Sequence, residues 1–249
     1  MKDRSAELAA NLARVERRIA AACAAAGRSR DEVTLIVVTK TYPASDVMIL
    51  SELGVRHVAE NRDQDAVSKA AKCSGSPLTW HFVGQLQTNK SRSVVRYADF
   101  VHSVDRVRLV DALSAAVMNS ERADRELGCL VQVALELEEA PARDENGEAG
   151  TRGGVAPHAV EGLAEAIAAV PGLRLDGVMT VAPLVGRYAG RPRDAFDRLM
   201  EVSYRLRTAH PAASMVSAGM SADVEDAIAA GATHVRMGSA VLGVRPRLG

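Results

Sequence analysis

The chain has 249 residues, of which 47% are hydrophobic, and a formal net charge of zero. This size suits one large α/β domain or two small ones, and the balanced charge argues against a broad nucleic-acid or membrane surface. The amino-terminal segment lacks the apolar core of a signal peptide and no apolar run could cross a bilayer, so we expect a cytoplasmic protein.

Strand and helix patterns alternate along the chain after an amino-terminal helix. Apolar residues at helical spacing predict that first helix over 3–26, ending before Gly27. Apolar runs typical of strands follow at 33–38, 55–59, 78–83, 99–104, 129–135, 175–181, 214–218 and 233–237. Helical patterns lie between most of them, at 44–53, 62–72, 105–126, 158–170, 193–209 and 221–230. Alternating units of this kind predict a single (β/α)8 TIM barrel over residues 1–249, with a doubly wound sheet as the competing architecture.

One stretch breaks this alternation. Residues 138–154 are acidic, rich in glycine and without large apolar side chains that could pack. Such a composition is typical of a loop that leaves the core. We predict a mobile loop there, inside the barrel domain.

Lys40 lies just after the first predicted strand, separated from it by Thr39. Lysine occurs at only five positions, whereas arginine occurs 26 times, so the chain rarely uses lysine. A lysine amine in a partly desolvated site can lose its proton and attack a carbonyl, whereas a guanidinium stays protonated. The position therefore suggests a Schiff-base lysine, and a surface lysine without chemical function is the alternative.

The seventh predicted strand ends in a glycine- and serine-rich segment. In barrel enzymes the loops after strands seven and eight commonly bind a phosphate. Here the segment begins at Ser217 and ends at Ser221, which we expect to cap a helix that Gly231 closes. Backbone amides and the two hydroxyls would then face an anion, although a capped helix without any ligand is the alternative.

The eighth predicted strand adds further donors. Arg236 and Gly238 share one face of that strand because side chains alternate, and Ser239 supplies a hydroxyl. A structural arginine is the alternative. Together with Lys40, these donors describe a pocket for a phosphorylated aldehyde. Pyridoxal phosphate fits both ends of such a pocket, and a sugar phosphate bound by an aldolase fits as well.

Five segments, 37–43, 59–61, 80–92, 217–221 and 235–239, carry a resemblance that spans nearly the whole chain. The most specific of them begins Trp-His-Phe-Val-Gly-Gln-Leu-Gln-Thr-Asn-Lys at Trp80. The chain resembles the pyridoxal-phosphate homeostasis protein family, which has the barrel of the alanine racemase N-terminal domain without its second domain.

The resemblance implies pyridoxal 5'-phosphate as cofactor and a role for each matching residue. Lys40 would bind the cofactor as a Schiff base, Asn61 would lie beside it, and His81 would sit on strand three in the floor of the pocket. Arg236 would lie near the pyridine nitrogen and keep it unprotonated, which suits holding the cofactor better than carbanion chemistry. The phosphate would be held by Ser217, Met220, Ser221, Gly238 and Ser239, with Gly219 in the same loop.

Two positions depart from the family's usual pattern. Arg62 stands where a tyrosine is usual, and Arg152 begins the Arg-Gly-Gly that replaces a Lys-x-Gly element. An arginine can still attract a phosphate, but it cannot perform the covalent chemistry of an amine.

A cofactor carrier is the function that the resemblance favours. It would store or buffer pyridoxal phosphate, or deliver it to apo-enzymes, as a monomer or weak dimer. Racemisation needs a second base, and residues 241–249 are too few for the domain that would supply one. A pyridoxal-phosphate racemase or lyase acting on small amino acids is the alternative, with Tyr42 as the nearest candidate base. A class I aldolase-type lyase is a third possibility.

The remaining cysteines and histidines show no pattern that predicts chemistry. We interpret the cysteines as buried thiols rather than a disulfide framework, and we predict no metal site. Four histidines are interpreted as surface or internally satisfied residues: His57, His102, His158 and His210.

Overall fold

A computed structural model of the chain describes residues 2–122, 124–138 and 153–243. Eight parallel strands close into a barrel in chain order. This arrangement confirms the predicted (β/α)8 barrel and excludes the doubly wound sheet. The strands are β1 (Thr34–Val38), β2 (His57–Glu60), β3 (Thr79–Phe82), β4 (Phe100–Val104), β5 (Leu127–Gln132), β6 (Leu173–Met179), β7 (Met215–Ser217) and β8 (His234–Met237).

The helices surround the barrel and confirm all the predicted helical segments. They are α1 (Lys2–Ala25), α2 (Ala44–Glu52), α3 (Asp63–Lys72), α4 (Ser91–Val94), α5 (Val107–Met118), α6 (Val160–Ala168), α7 (Pro192–Ala209), α8 (Val224–Ala230) and α9 (Ser239–Leu242). The sequence did not predict α4 and α9, because four residues are too few to show a helical period. Helix α5 ends at Met118 rather than 126, because the polar residues that follow have no apolar face to bury.

The extra amino-terminal helix is part of the packed structure. Leu8, Val15 and Ile19 of α1 are buried, and the helix packs against α2, α8 and α9. Burying each such side chain contributes about 1.5–3 kcal/mol, so the helix is fixed against the helices that follow β1, β7 and β8.

Two predictions about loops need separate treatment. Ser221 is not the N-cap of α8, because that helix begins at Val224 after Asp223. The Asp223 carboxylate instead accepts a hydrogen bond of 2.6 Å from the amide of Met220, which closes a turn before the helix starts. The mobile loop predicted over 138–154, with Arg152, lies outside the described residues apart from Glu138, Gly153 and Gly154.

Two further observations concern membrane-spanning helices and the cysteines. Among the helices of the described ranges, none is long and apolar enough to span a membrane. Cys23, Cys73 and Cys129 are all buried free thiols, as predicted.

Strand alternation divides the barrel into an apolar exterior and a partly polar interior. Side chains such as Val37, Val58 and Val235 belong to the hydrophobic layer between strands and helices. The interior positions of several strands carry hydrogen-bonding residues instead, including buried His81 and Arg236. Barrel interiors are usually filled by branched aliphatic residues, so polar groups here indicate a function at the carboxyl ends of the strands.

Candidate functional site

Lys40 lies on a turn just past the carboxyl end of β1, and its side chain is exposed. The next residue, Thr41, has φ = 71°, the only positive φ of a non-glycine residue in the described part of the chain. A β-branched residue in the left-handed region is strained by about 1–3 kcal/mol, and such strain concentrates at functional sites. The backbone directly after Lys40 is therefore in a conformation that local preference alone would not choose.

A buried ion pair braces the residue before Lys40. Lys69 on α3 pairs with Glu60 at the end of β2, and both side chains are almost wholly buried. The Lys69 ammonium also donates to the Thr39 carbonyl at 2.8 Å, and the Thr39 hydroxyl donates to Glu60 at 2.5 Å. These contacts tie the ends of β1 and β2 together and offset part of the strain at Thr41.

Arg236 lies on β8, next to β1, with its guanidinium buried inside the barrel. It donates to the Ser217 hydroxyl at 2.7 Å and to the Thr180 carbonyl at 2.8 Å. No carboxylate of the described residues forms an ion pair with it. Burial lowers the pKa of Arg236 to about 10, which still leaves it protonated at neutral pH. A buried cation with spare donors is costly unless an acceptor or anion compensates it.

The loops after β7 and β8 meet this arginine and the end of β1. The Arg236 amide donates to the Gly219 carbonyl at 2.9 Å, which joins the two loops. Gly219 has φ = 87°, a conformation that favours glycine. A Cβ at Gly238 would lie 3.3 Å from the Val38 carbonyl oxygen, so this loop passes close to the strand that precedes Lys40.

The side chains of these loops differ in their accessibility. Met220 and Ser239 are exposed and Ser221 is partly exposed, so all three can meet a ligand. Ser217 is fully buried, and its hydroxyl contacts both Arg236 and His102.

Asn61 follows the last residue of β2 and is partly exposed. Its backbone fits tightly against Gly84, where an added Cβ would lie 2.0 Å from the Asn61 carbonyl oxygen. This contact explains the glycine within the segment that begins at Trp80. His81 lies on β3, as predicted, and is fully buried in the barrel, where it stacks on Phe100 with ring centroids 4.8 Å apart.

The sequence did not reveal that His57 and His102 belong to the same structure as His81. His57 Nδ1 lies 3.0 Å from His81 Nε2, and His81 Nδ1 lies 2.8 Å from His102 Nε2. His102 Nδ1 then lies 3.0 Å from the Ser217 hydroxyl oxygen. His102 has hydrogen-bond partners inside the protein, which is one of the two interpretations given for it above. Through Ser217 it also connects to Arg236. The available signal was a histidine at an interior position on each of three successive strands.

Burial makes these imidazoles poor bases. The pKa of His81 and of His102 lies well below 6.5, first because of burial and then because neighbouring cationic forms repel a proton. Burial also lowers the pKa of His57. The chain of imidazoles is therefore neutral at pH 7, and Arg236 is the charged group at its end.

Comparisons with known proteins identify the family of the chain. A model of the family described as alanine racemase, N-terminal domain, matches residues 10–246. The pyridoxal phosphate homeostasis protein of Mycobacterium tuberculosis (strain CDC 1551 / Oshkosh) is 40% identical over 259 aligned residues, covering 98% of this chain and 95% of the relative. The protein of the same name from Escherichia coli (strain K12) is 37% identical over 245 residues, covering 96% and 97%.

A solved structure is also similar over the whole barrel. PipY of Synechococcus elongatus PCC7942, with PLP bound, has a TM-score of 0.74 and 27% identity, covering 95% of this chain and 100% of that chain. Family model and relatives both extend over nearly all of the present sequence. The chain therefore belongs to the pyridoxal phosphate homeostasis proteins, within the alanine racemase N-terminal domain family.

Proposed function

We propose that this chain binds pyridoxal phosphate, holds it covalently through the ε-amine of Lys40, and serves in homeostasis of the cofactor by storing, buffering or delivering it. One observation carries the proposal. An exposed lysine on a strained turn lies at the end of β1, and the neighbouring strand β8 carries a buried guanidinium without an ion-pair partner among the described residues. The relatives' name and PipY with PLP bound support it.

The residues present fit this cofactor. When bound, pyridoxal phosphate supplies an aldehyde that reacts with an amine, a pyridine ring that draws electrons, and an anionic phosphate. Lys40 is the amine, and the buried Arg236 needs an acceptor such as a ring nitrogen. Ser217, Met220, Ser221, Gly238 and Ser239, with Gly219 in the same loop, would hold the phosphate, and Asn61 and His81 would border the site.

Arg236 favours holding the cofactor over catalysis with it. A guanidinium can only donate hydrogen bonds and keeps its protons at neutral pH. It therefore leaves a neighbouring ring nitrogen unprotonated, and an unprotonated ring is a weaker electron sink. Storage or delivery does not require the ring to act as an electron sink, whereas racemase or lyase chemistry does.

The alternative, a racemase or lyase acting on small amino acids, needs a base near Lys40. Tyr42 is the nearest candidate, but its hydroxyl donates to the Gly243 carbonyl at 2.6 Å. This contact supports the carrier proposal, because it occupies the proton that the base would exchange. Turnover of amino acids well above the rate of free pyridoxal phosphate would contradict the carrier proposal, whereas transfer of cofactor to an apo-enzyme would support it.

The Lys40→Ala variant is expected to lose covalent cofactor while its free energy of unfolding changes by no more than about 0.5 kcal/mol, because the side chain is exposed. The measurement is an absorption spectrum with added pyridoxal phosphate, followed by borohydride reduction and peptide mapping. Lys72→Ala, at another exposed lysine, is the control and should keep the adduct. An adduct that maps elsewhere in the wild-type protein would disprove the assignment.

Arg236→Met is expected to raise the dissociation constant for pyridoxal phosphate about 10- to 100-fold, because a hydrogen bond from a charged group contributes about 1.5–3 kcal/mol. The affinity is measured by titration followed through absorption. Arg205→Met removes an exposed guanidinium and serves as the control. Equal affinities for the two variants would make Arg236 a structural residue only.

We place this function in the cytoplasm. All three cysteines are free thiols, which is usual in a reducing compartment. Cell fractionation with an antibody against the chain tests this location.

A further inference from the structure

A continuous series of hydrogen-bonding side chains crosses the barrel interior. It runs from His57 through His81 and His102 to Ser217 and ends at Arg236, with contacts of 3.0, 2.8, 3.0 and 2.7 Å. We call these five residues the relay. His81, His102 and Ser217 are fully buried, so bulk water cannot complete a bond that the relay leaves unmade.

The arginine end fixes the direction of donation. Arg236 can only donate, so the Ser217 oxygen accepts from it. Among the described residues, the Ser217 proton then has one remaining hydrogen-bond partner, His102 Nδ1, and must point there or stay unsatisfied at a cost of about 1–3 kcal/mol. His102 Nδ1 is therefore an acceptor, and the proton of this neutral ring is on Nε2.

The same reasoning passes along the relay. His102 Nε2–H donates to His81 Nδ1, so the His81 proton is also on Nε2 and points to His57 Nδ1. His57 must then carry its own proton on Nε2. One donor-only group at the site thus determines the tautomer of three imidazoles on three strands, β2, β3 and β4.

We propose that His102 and His81 are positioning residues of the cofactor site: they hold Ser217 in one orientation, and Ser217 holds the Arg236 guanidinium with its remaining N–H groups available to a ligand. This inference deepens the proposed function and rests on it for the identity of that ligand. The stacking of His81 on Phe100 supports it, because it fixes the plane of the central ring. The neutral state of His81 and His102 agrees with their lowered pKa values.

Histidine tautomers in the ligand-free protein test the relay directly. Long-range ¹H–¹⁵N correlation of protein labelled in histidine distinguishes Nδ1–H, Nε2–H and doubly protonated rings, and single His→Gln variants assign the signals. We expect Nε2–H tautomers at His57, His81 and His102. An Nδ1–H or doubly protonated ring at His102 or His81 would overturn the inference.

A pair of serine variants tests the origin of this order. Ser217→Ala removes the group that fixes His102, so we expect the Nε2–H signals of His102 and His81 to give way to a mixture of tautomers. Ser103→Ala is the matched control, because Ser103 is equally buried on β4 and its hydroxyl has no hydrogen-bond partner among the described residues. A pure Nε2–H signal in Ser217→Ala would contradict the proposed direction.

The effect on Arg236 is measured without any ligand. A guanidinium held in place shows separate ¹⁵Nη signals, whereas a freely rotating one shows an average. We expect separate Arg236 signals in the wild-type protein and in His102→Asn, whose side-chain oxygen can replace Nδ1, and averaged signals in His102→Phe. Separate signals in His102→Phe would exclude positioning, even if the tautomers are as expected.

The affinity for pyridoxal phosphate separates this inference from the proposed function. His102→Phe should raise the dissociation constant about tenfold and His102→Asn less than about threefold. Unchanged affinity in His102→Phe would overturn the positioning role. If the wild-type protein binds no pyridoxal phosphate, the proposed function fails, while the tautomers and Arg236 signals still decide the relay.

Discussion

Lys69→Met is expected to lower the free energy of unfolding by about 3–5 kcal/mol, because removing one member of a buried ion pair leaves the other charge uncompensated. The partner is Glu60, whose side chain is fully buried. One of its carboxylate oxygens, Oε2, already lacks a hydrogen-bond partner among the described residues, so Lys69 and the Thr39 hydroxyl are its compensation. The loss is measured by urea unfolding at pH 7, with circular dichroism as the signal.

Two further variants isolate the cause of this loss. Lys72→Met lies three residues along the same helix at an exposed position and should change the free energy of unfolding by no more than about 0.5 kcal/mol. The double variant Glu60→Gln/Lys69→Met removes both charges and keeps an oxygen for the Thr39 hydroxyl, so it should recover most of the loss. A double variant as unstable as Lys69→Met would show that an unpaired charge is not the reason.

This ion pair links the fold to the proposed site. The Lys69 ammonium contacts the carbonyl of Thr39, the residue before Lys40, and Thr41 carries the strained backbone. Strain of about 1–3 kcal/mol persists only where surrounding contacts exceed it, and a buried pair anchored on α3 and β2 provides such contacts. The position of Lys40 thus depends on a buried ion pair beneath the turn that carries it.

The sequence predicted the barrel because its signals are local. Each strand is a short apolar run, and each of the longer helices shows an apolar period, so type and order follow from neighbours in the chain. Lys40 could likewise be selected as a candidate, because its place after an apolar run and the scarcity of lysine are both visible in the sequence; its role stays a prediction.

The supporting residues could not be predicted in the same way. The pairing of Lys69 with Glu60 depends on which helix face turns toward β2, and the contact of His81 with His102 depends on the register of β3 and β4. The N-cap at Ser221 was wrong for a related reason: Asp223 competes for the Met220 amide, and only the turn geometry decides between them. These features are set by tertiary contacts, which composition and period do not encode.

Stability is expected to fall steeply as the pH drops below about 6.5, because buried histidines must stay neutral in the folded protein. Burial lowers the pKa of His234 to about 4 and that of His81 and His102 well below 6.5. In the unfolded chain these rings recover an ordinary pKa near 6.5 and take up protons that the native state does not bind. Their contribution is therefore complete above pH 6.5 and is lost as the pH falls toward 4.

The size of the slope follows from the number of such rings. Each contributes a limiting slope of about 1.4 kcal/mol per pH unit, so the three together reach about 4 kcal/mol per pH unit. His57 adds less, because burial lowers its pKa less far than that of the other three rings. Asp105, whose pKa burial raises, acts in the opposite direction but is a single group.

Urea unfolding at a series of pH values between 7.5 and 5 measures this slope. The range lies above that in which Glu138 and Glu225 titrate. Burial raises the pKa of Glu138, but hydrogen bonds from Tyr188 and Arg198 outweigh it and lower that pKa below 4.5, and a hydrogen bond from Arg18 lowers the pKa of Glu225. His102→Asn removes one neutral imidazole and should reduce the slope by about 1.4 kcal/mol per pH unit. An unchanged slope in His102→Asn would mean that His102 takes up a proton while the protein is still folded. Since a protonated His102 cannot accept the Ser217 hydroxyl, such a result would also remove the basis on which Arg236 is held toward its ligand.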